Sequence, residues 1–580
     1  MVWTELTEGL AEALRAVGLF TPERLQRLEL AIPREPGHGD WTTNLALVLA
    51  KEVGRPPRAL AEALAAAFPR DGGPIGAIEV AGPGFLNFRY GERFLEALAA
   101  RIRREDERFG ASDHGRQVPI LVEYVSANPT GPLNVVSARA AAVGASLVRL
   151  LQAIGHRAEG EFYVNDAGNQ VDLLGESVAA RFAESIGVPR PFPAEGYRGA
   201  YVGEIARELP PAEARAALDR KDGVAWFRQQ ALERVLASQR RDLDAYGGVF
   251  SRWARESEIH ASHAVEKTLA ELEARGMTYR ALRPEVAPAD RPPSWEEAGE
   301  PLAEATFLRT ARFGDDQDRV VQKSGGAPTY LLPDIAYHRD KRARGFRHAI
   351  DLWGPDHHGY VPRMKAALQA LGLEPDFLQV LIVQQVNLLS GGQPVKMSKR
   401  AGEFVTLRDL MEDVGADCAK FFFLMRSTGA HLDFDLDLAR RQNDENPAYY
   451  VQYAHARIAS VLRFAGERGL TPSEDAGTPG GEPRFAAPEE QALLRRLAAF
   501  PEVVRGAALA REPHRIPAYL METAAEFHRF YHACRVVTED LERSRARLEL
   551  VDATRVVIRN GLALMGVSAP DRMSRAEEAA

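Results

Sequence analysis

Apolar positions along this chain fall into two rhythms, short continuous runs and three-to-four-residue spacing. The points where one gives way to the other outline its elements. The run at 120–125 is apolar except for one acid, Glu123, and reads as a buried parallel strand. Residues 126–133, punctuated by Asn-Pro and Gly-Pro, read as a loop. From Val135 an Ala-rich segment with Leu and Val at helical spacing predicts a helix. Strand, polar loop and helix N-terminus together make an anion site, because the first backbone N–H groups of a helix lack internal partners. Residues 158–164 repeat the pattern, with a strand entering the polar loop Asn165-Asp166-Ala167-Gly168-Asn169-Gln170.

Upstream, helical spacing at 4–17, 21–30 and 57–67, with short strands at 78–80 and 85–88 about Gly82-Pro83-Gly84, predicts a small α+β domain at 1–112. An α/β domain is expected at 113–389, interrupted by a helical connective insertion at about 170–300. Its later strands are predicted at 306–309, 320–322, 349–353 and 378–383, with helices at 330–342 and 361–371. Residues 390–443 carry a glycine-bounded loop and a linking helical region, and 444–580 read as an all-helical domain.

A chain of 580 residues exceeds one ordinary domain, and 45% hydrophobic with 27% charged residues is the balance of a soluble globular protein. Cys418 and Cys534 lie in no Cys-x-x-Cys and make no disulfide framework, so they read as reduced thiols. No apolar run reaches the roughly 18 residues of a membrane span, and the N-terminus is unlike a signal peptide, so a cytoplasmic location is expected. A net charge of −8 leaves nucleic-acid binding to local basic patches. The run Arg339, Lys341, Arg342, Arg344 and Arg347 offers phosphate contacts, but reads first as a solvated helix face.

Two features bring chemistry. Glu123, inside an apolar strand, must be paired, because an unpaired buried carboxylate is costly. In Lys396-Met397-Ser398-Lys399-Arg400 two lysines flank a serine on the loop after a buried strand, which suits a polyphosphate whose charge rises in the transition state. That pentapeptide resembles the KMSKS signature of class I aminoacyl-tRNA synthetases, and Glu123 to Gly144 resembles their HIGH region. More narrowly, the chain resembles the arginyl-tRNA synthetase family nearly end to end. The likeness extends to Gly84-Phe85-Leu86-Asn87-Phe88, Tyr163-Val164-Asn165-Asp166-Ala167-Gly168-Asn169-Gln170, Thr329-Tyr330-Leu331 with Asp334-Ile335-Ala336-Tyr337-His338, and Tyr450-Val451-Gln452-Tyr453-Ala454-His455-Ala456-Arg457.

The resemblance implies a Rossmann-type α/β catalytic domain, an N-terminal tRNA-binding domain and an all-α anticodon-binding bundle. It implies arginine–tRNA ligase activity: ATP activates L-arginine to arginyl-adenylate, which is passed to the 3′ end of its tRNA with no covalent enzyme intermediate. Carried over residue by residue, arginine binding falls to Glu123, Asn128, Tyr330 and Asp334. ATP binding falls to Ala127, Asn128, Pro129, Gly131, Pro132, Leu133, Asn134, Val136 and Ser137, with Lys396, Met397, Ser398, Lys399 and Arg400 acting on the phosphates. Contacts with tRNA fall to Phe85, Asn87, Tyr450, Tyr453 and Arg457. Magnesium would enter with ATP, no tightly bound protein metal is expected, and the family expectation is a monomer. The chain departs from the family where His-x-Gly-His would stand and it has Asn134-Val135-Val136-Ser137. A catalytically silent relative that binds tRNA or arginine is therefore the rival reading.

Overall fold

The computed structural model describes residues 2–33, 35–70, 73–285, 303–395, 405–473 and 483–573. Residues 2–105 build helices α1 (Val2–Ala16), α2 (Leu45–Val53), α3 (Pro57–Ala67) and α4 (Glu92–Glu105), and strands β1 (Leu30–Ala31), β2 (Trp41–Thr43), β3 (Ile75–Ala81) and β4 (Phe85–Tyr90). The strands form an antiparallel sheet ordered β1-β2-β4-β3. Where helical spacing predicts a helix over 21–30, the chain makes one turn, Pro22–Leu25, capped by Thr21, and then extends so that Leu30 pairs with Thr43. Pairing with β2 outweighs a weak local preference there.

The strands that follow are β5 (Pro119–Glu123), β6 (Arg157–Val164), β7 (Arg252–Arg255), β8 (Thr278–Ala281), β9 (Ala305–Leu308), β10 (Arg319–Gln322), β11 (His348–Trp353) and β12 (Leu378–Ile382). Five of them form an all-parallel sheet ordered β12-β11-β5-β6-β7. The chain runs outward from the central strand β5 in one direction and returns to its other side through β11, which is the doubly wound Rossmann order. The switch point therefore lies between β5 and β11, and ligands bind in the crevice at the C-terminal ends of such strands. Helix α5 (Val135–Ala153) joins β5 to β6. The insertion expected as one helical piece is divided. Helices α6 (Asn169–Ser185), α7 (Ala200–Glu208) and α8 (Gly223–Tyr246) pack about their own core of Leu174, Val178, Phe182 and Phe227. The chain then returns to the parallel sheet as β7, and β8, β9 and β10 make a separate antiparallel sheet. An edge strand of sequence Arg-Trp-Ala-Arg has too little apolar pattern to show in the sequence.

Helix α9 (Leu331–Ala343) leads into β11. Beyond β12 lie the hairpin β13 (Val386–Ser390) and β14 (Gln393–Pro394), helices α10 (Leu407–Val414) and α11 (Ala416–Leu424), and β15 (Leu432–Asp435), which runs parallel to β13. The chain ends in a bundle of α12 (Pro447–Gly466), α13 (Pro488–Ala498), α14 (Phe500–Ala510), α15 (Arg515–Ala533) and α16 (Leu541–Leu564). Helix α5 packs against β6, α11 and α14, which explains why it is apolar nearly all round. It is the one helix among the described residues long and apolar enough to cross a membrane, and its residues are mostly buried.

Candidate active site

Strand register places three acids abreast on one face of the sheet. Glu123 on β5 pairs across to Asp351 on β11 and to Glu161 on β6. All three are buried, an arrangement that persists only if each is neutralised. Helix α9 supplies the cations from one face. Lys341, fully buried, reaches Glu123 Oε2 at 2.6 Å and Asp351 Oδ1 at 2.9 Å. Arg344 grips both oxygens of Glu161 at 2.8 Å each, and Tyr337 Oη donates to Glu161 Oε1 at 2.6 Å. His338 bridges Asp351 Oδ2 and the carbonyl of Asp334, both at 2.8 Å. Burial would raise Asp351, but Lys341 and His338 together hold it down at about 2. Burial prevails at Glu123, whose carboxyl is pushed up despite Lys341. Lys341 and Arg344 thus do not belong to a solvated basic face. Beneath three buried carboxylates, a lysine is worth more inside than out.

Past Glu123 the backbone turns sharply, with Val125 at φ +69° and Ser126 at φ +37°. A β-branched residue in the left-handed region is strained, by roughly 1–3 kcal/mol, and such strain collects at functional sites. The turn lets Ser126 Oγ donate to Glu123 Oε1 at 2.9 Å and accept from the Tyr163 backbone N–H at 3.1 Å. The loop carrying Ala127, Asn128, Pro129, Gly131, Pro132 and Leu133 is held by the helical insertion. Gln239 donates to Gly131 O at 2.8 Å, Tyr201 donates to Thr130 O at 2.7 Å, and Asn128 donates to Gln170 Oε1 at 2.8 Å. Asn134 is the N-cap of α5, and its Oδ1 accepts from Val136 N at 3.1 Å and Ser137 N at 3.0 Å. The helix N-terminus expected to offer free N–H groups is therefore capped from within the chain.

Across the crevice, Asp334 in the first turn of α9 accepts from Tyr360 Oη at 2.8 Å. Burial, with the charges of Glu123 and Glu256 nearby, pushes its carboxyl up to about 6. Tyr330 stands on the rim, 67% exposed, its hydroxyl accepting from Arg363 at 3.1 Å. Its ring leans on that of Tyr360, and Tyr360 in turn leans on Trp353 at the end of β11. The structure thus brings Glu123 and Asp334 to one crevice, with Tyr330 at its mouth and Asn128 on the loop beside it.

Lys396, Met397, Ser398, Lys399 and Arg400 lie outside the described residues. The chain on either side of them is anchored. Val395 N donates to Leu388 O at 2.8 Å, and Leu407 N donates to Leu133 O at 2.8 Å beside a backbone bridge between Asn134 and Thr406. Among the described residues no group of three or more His, Cys, Asp or Glu is arranged to hold a metal ion.

Of the residues assigned to RNA, Phe85 is 39% exposed at the start of β4. Asn87, on the same face of that strand, is buried, and its Oδ1 accepts from Thr42 Oγ1 at 2.7 Å. In the bundle, Tyr453 and Arg457 line a groove of about 1090 Å³ with Phe464, Tyr531, Arg468 and Arg535. Arg457 donates to Tyr453 Oη at 3.0 Å and lies over the Tyr531 ring. Tyr450 packs on His528 instead, outside that groove.

The sequence analysis gives no role to Asp351, His338 or Ser126 and reads Lys341 as part of a solvated face, whereas it pairs with Glu123 and Asp351. Asp351 carries the same signal as Glu123, an acid inside an apolar strand, and could have been found by it.

Residues 4–90 match the family model described as arginyl tRNA synthetase N terminal domain, and residues 451–573 match the DALR anticodon binding domain. The arginine–tRNA ligase of Geobacillus thermodenitrificans is 43% identical over 572 residues, covering 98% of each chain. That of Bacillus subtilis is 41% identical over 571 residues, again covering 98% of each. The solved structure of Thermus thermophilus arginyl-tRNA synthetase superposes with a TM-score of 0.76 at 22% identity, covering 99% of this chain and 100% of that one, a likeness of fold.

Proposed function

The chain belongs to the arginyl-tRNA synthetase family, and from that premise we infer that the crevice at the ends of β5 and β11 holds L-arginine for activation. The protein is an arginine–tRNA ligase rather than a silent relative. The reaction has two steps. A carboxylate oxygen of arginine attacks the α-phosphorus of ATP, the Pα–O–Pβ bond breaks and pyrophosphate leaves. A ribose hydroxyl at the tRNA 3′ end then attacks the acyl carbon of arginyl-adenylate, and AMP leaves. No enzyme nucleophile is needed, so the chain contributes positioning and charge.

One observation carries the assignment of the amino-acid site: near the switch point of the sheet the buried Asp334 carboxylate, within the field of Glu123, accepts from Tyr360, whose ring leans on Trp353. A guanidinium offers five N–H donors and no acceptor, which suits carboxylates flanked by rings. Tyr330 closes the mouth, and Asn128 meets the polar end of the substrate. ATP lies along Ala127 to Ser137, with Asn134 and Ser137 toward its phosphates, and Lys396 and Lys399 act on the same phosphates. Magnesium accompanies ATP as a phosphate-bound counter-ion. Phe85 stacks on a splayed base, with Asn87 held beside it by Thr42. The groove of Tyr453 and Arg457, flanked by Tyr450, takes an unpaired RNA loop on its rings and cations. The ligase acts as a monomer.

Arginine-dependent ATP–pyrophosphate exchange, run with tRNA present, tests the amino-acid site. Asp334→Asn should raise the KM for arginine roughly tenfold or more and leave the KM for ATP in place. In the wild type, kcat/KM for arginine should fall as pH drops through about 6, because the free Asp334 carboxyl then holds a proton and cannot pair with a cation. Asp334→Asn should lose that inflection. An arginine KM unmoved by this substitution would place the amino acid elsewhere.

A further inference from the structure

One buried polar group in the crevice has no role in the network beneath it, the hydroxyl of Tyr163. Tyr163 lies on β6 two residues past Glu161, the cross-strand partner of Glu123. Its side chain therefore leaves the same face of the sheet as Glu123, one step nearer the C-terminal edge. Trp353 holds the equivalent place on β11, two residues past Asp351. Strand β5 ends at Glu123, so its two neighbours carry Tyr163 and Trp353 beyond it, one on each side of the crevice.

The ring of Tyr163 is explained by packing: it stacks on Tyr337 with centroids 4.3 Å apart and planes 29° from parallel. The hydroxyl is not. Its oxygen is buried and has no hydrogen-bond partner among the described residues. The carboxylates of Glu256, Asp334, Glu123 and Asp166 all act on it, yet none is within hydrogen-bonding distance. The phenol hydroxyl both donates and accepts, the carboxylates around it only accept, and an unpaired buried hydroxyl costs about 1–3 kcal/mol unless something completes it. A group placed among them meets more acceptors than donors and must itself bring N–H or O–H groups. A guanidinium does so with its N–H donors.

We propose that the Tyr163 hydroxyl is a direct ligand of the substrate guanidinium, accepting one of its N–H groups while Asp334 and Glu123 take others. The proposal rests on arginine occupying this crevice. Tyr163→Phe keeps the ring and its stack on Tyr337 and removes only the oxygen. In the exchange assay with tRNA present, Tyr163→Phe should raise the KM for arginine about tenfold, with kcat within about twofold of wild type and the KM for ATP unchanged. Thermal unfolding should stay at the wild-type midpoint, which separates lost ligation from lost packing. An unchanged arginine KM in Tyr163→Phe, with Asp334→Asn still raising it, would overturn the ligand role and leave the crevice assignment standing. An arginine KM unmoved by both substitutions would overturn the crevice assignment and this inference together.

Discussion

Asn134 stands where the family signature has its first histidine, and its carboxamide oxygen is spent on the helix that follows. By accepting from Val136 N and Ser137 N it occupies backbone donors that a bare helix end would offer to a phosphate. In the proposed ATP site, phosphate contact therefore falls to side chains, among them the remaining amide group of Asn134 and the Ser137 hydroxyl. Asn134→Asp separates the two duties. Aspartate caps a helix as well as asparagine and is favoured there by the helix dipole, so thermal stability should be kept or slightly raised. A negative charge beside the triphosphate should raise the KM for ATP roughly tenfold without moving that for arginine. Unchanged ATP kinetics would show that position 134 serves the helix alone.

At the scale of elements, Arg139 shows how the two signature regions are kept in register. It sits one turn into α5, fully buried, and its guanidinium donates to the carbonyls of Gln384 at 2.9 Å, Ser427 at 2.8 Å and Ala430 at 2.9 Å. No carboxylate meets it in these bonds, and burial pulls its pKa down to about 10. Those carbonyls belong to the segments that enter β13 and β15, and the β13–β14 hairpin leads directly into the lysine loop. Arg139 thus fixes α5 against the strands that launch the second signature. Lysine cannot span the same acceptors, since its donors radiate from one atom. Arg139→Lys should lower stability by about 2–3 kcal/mol in denaturant titration and slow exchange, with the arginine KM nearly unchanged. A raised arginine KM with normal kcat would place its effect in the amino-acid pocket instead.

Across the whole molecule, the N-terminal domain and the C-terminal bundle are joined directly. Arg103 on α4 reaches Asp552 on α16 at 2.7 Å. Asn560 donates to the carbonyls of Asp106 at 2.8 Å and Phe109 at 3.0 Å, and Phe109 stacks on Phe500. One apolar cluster runs from α1 through α5 to α16 without a break. The surfaces assigned to RNA at Phe85 and at the Tyr453 groove are therefore parts of one body, set at a fixed separation. The double substitution Arg103→Ala, Asn560→Ala removes the ion pair to Asp552 and both bonds from Asn560. It should weaken tRNA binding severalfold in a filter assay while the arginine KM stays at its wild-type value. Equal tRNA affinity would show that the joint serves stability only.

Local order was legible in the sequence because its causes are local. The strand, loop and helix at 120–150 follow from apolar runs, Pro and Gly punctuation and helical spacing. The need to pair Glu123 follows from one charge in an apolar run. The family was legible for the same reason, since its motifs are short and stand in order. The partner of Glu123 was not: Lys341 lies 218 residues away on a helix whose basic residues look solvated. Nor was the return of β7 to the sheet or the leftover hydroxyl of Tyr163. Each of these depends on strand order and register, which bring distant residues onto one face. Residue spacing sets which way a side chain points along its own strand, and only the packed sheet decides what stands opposite.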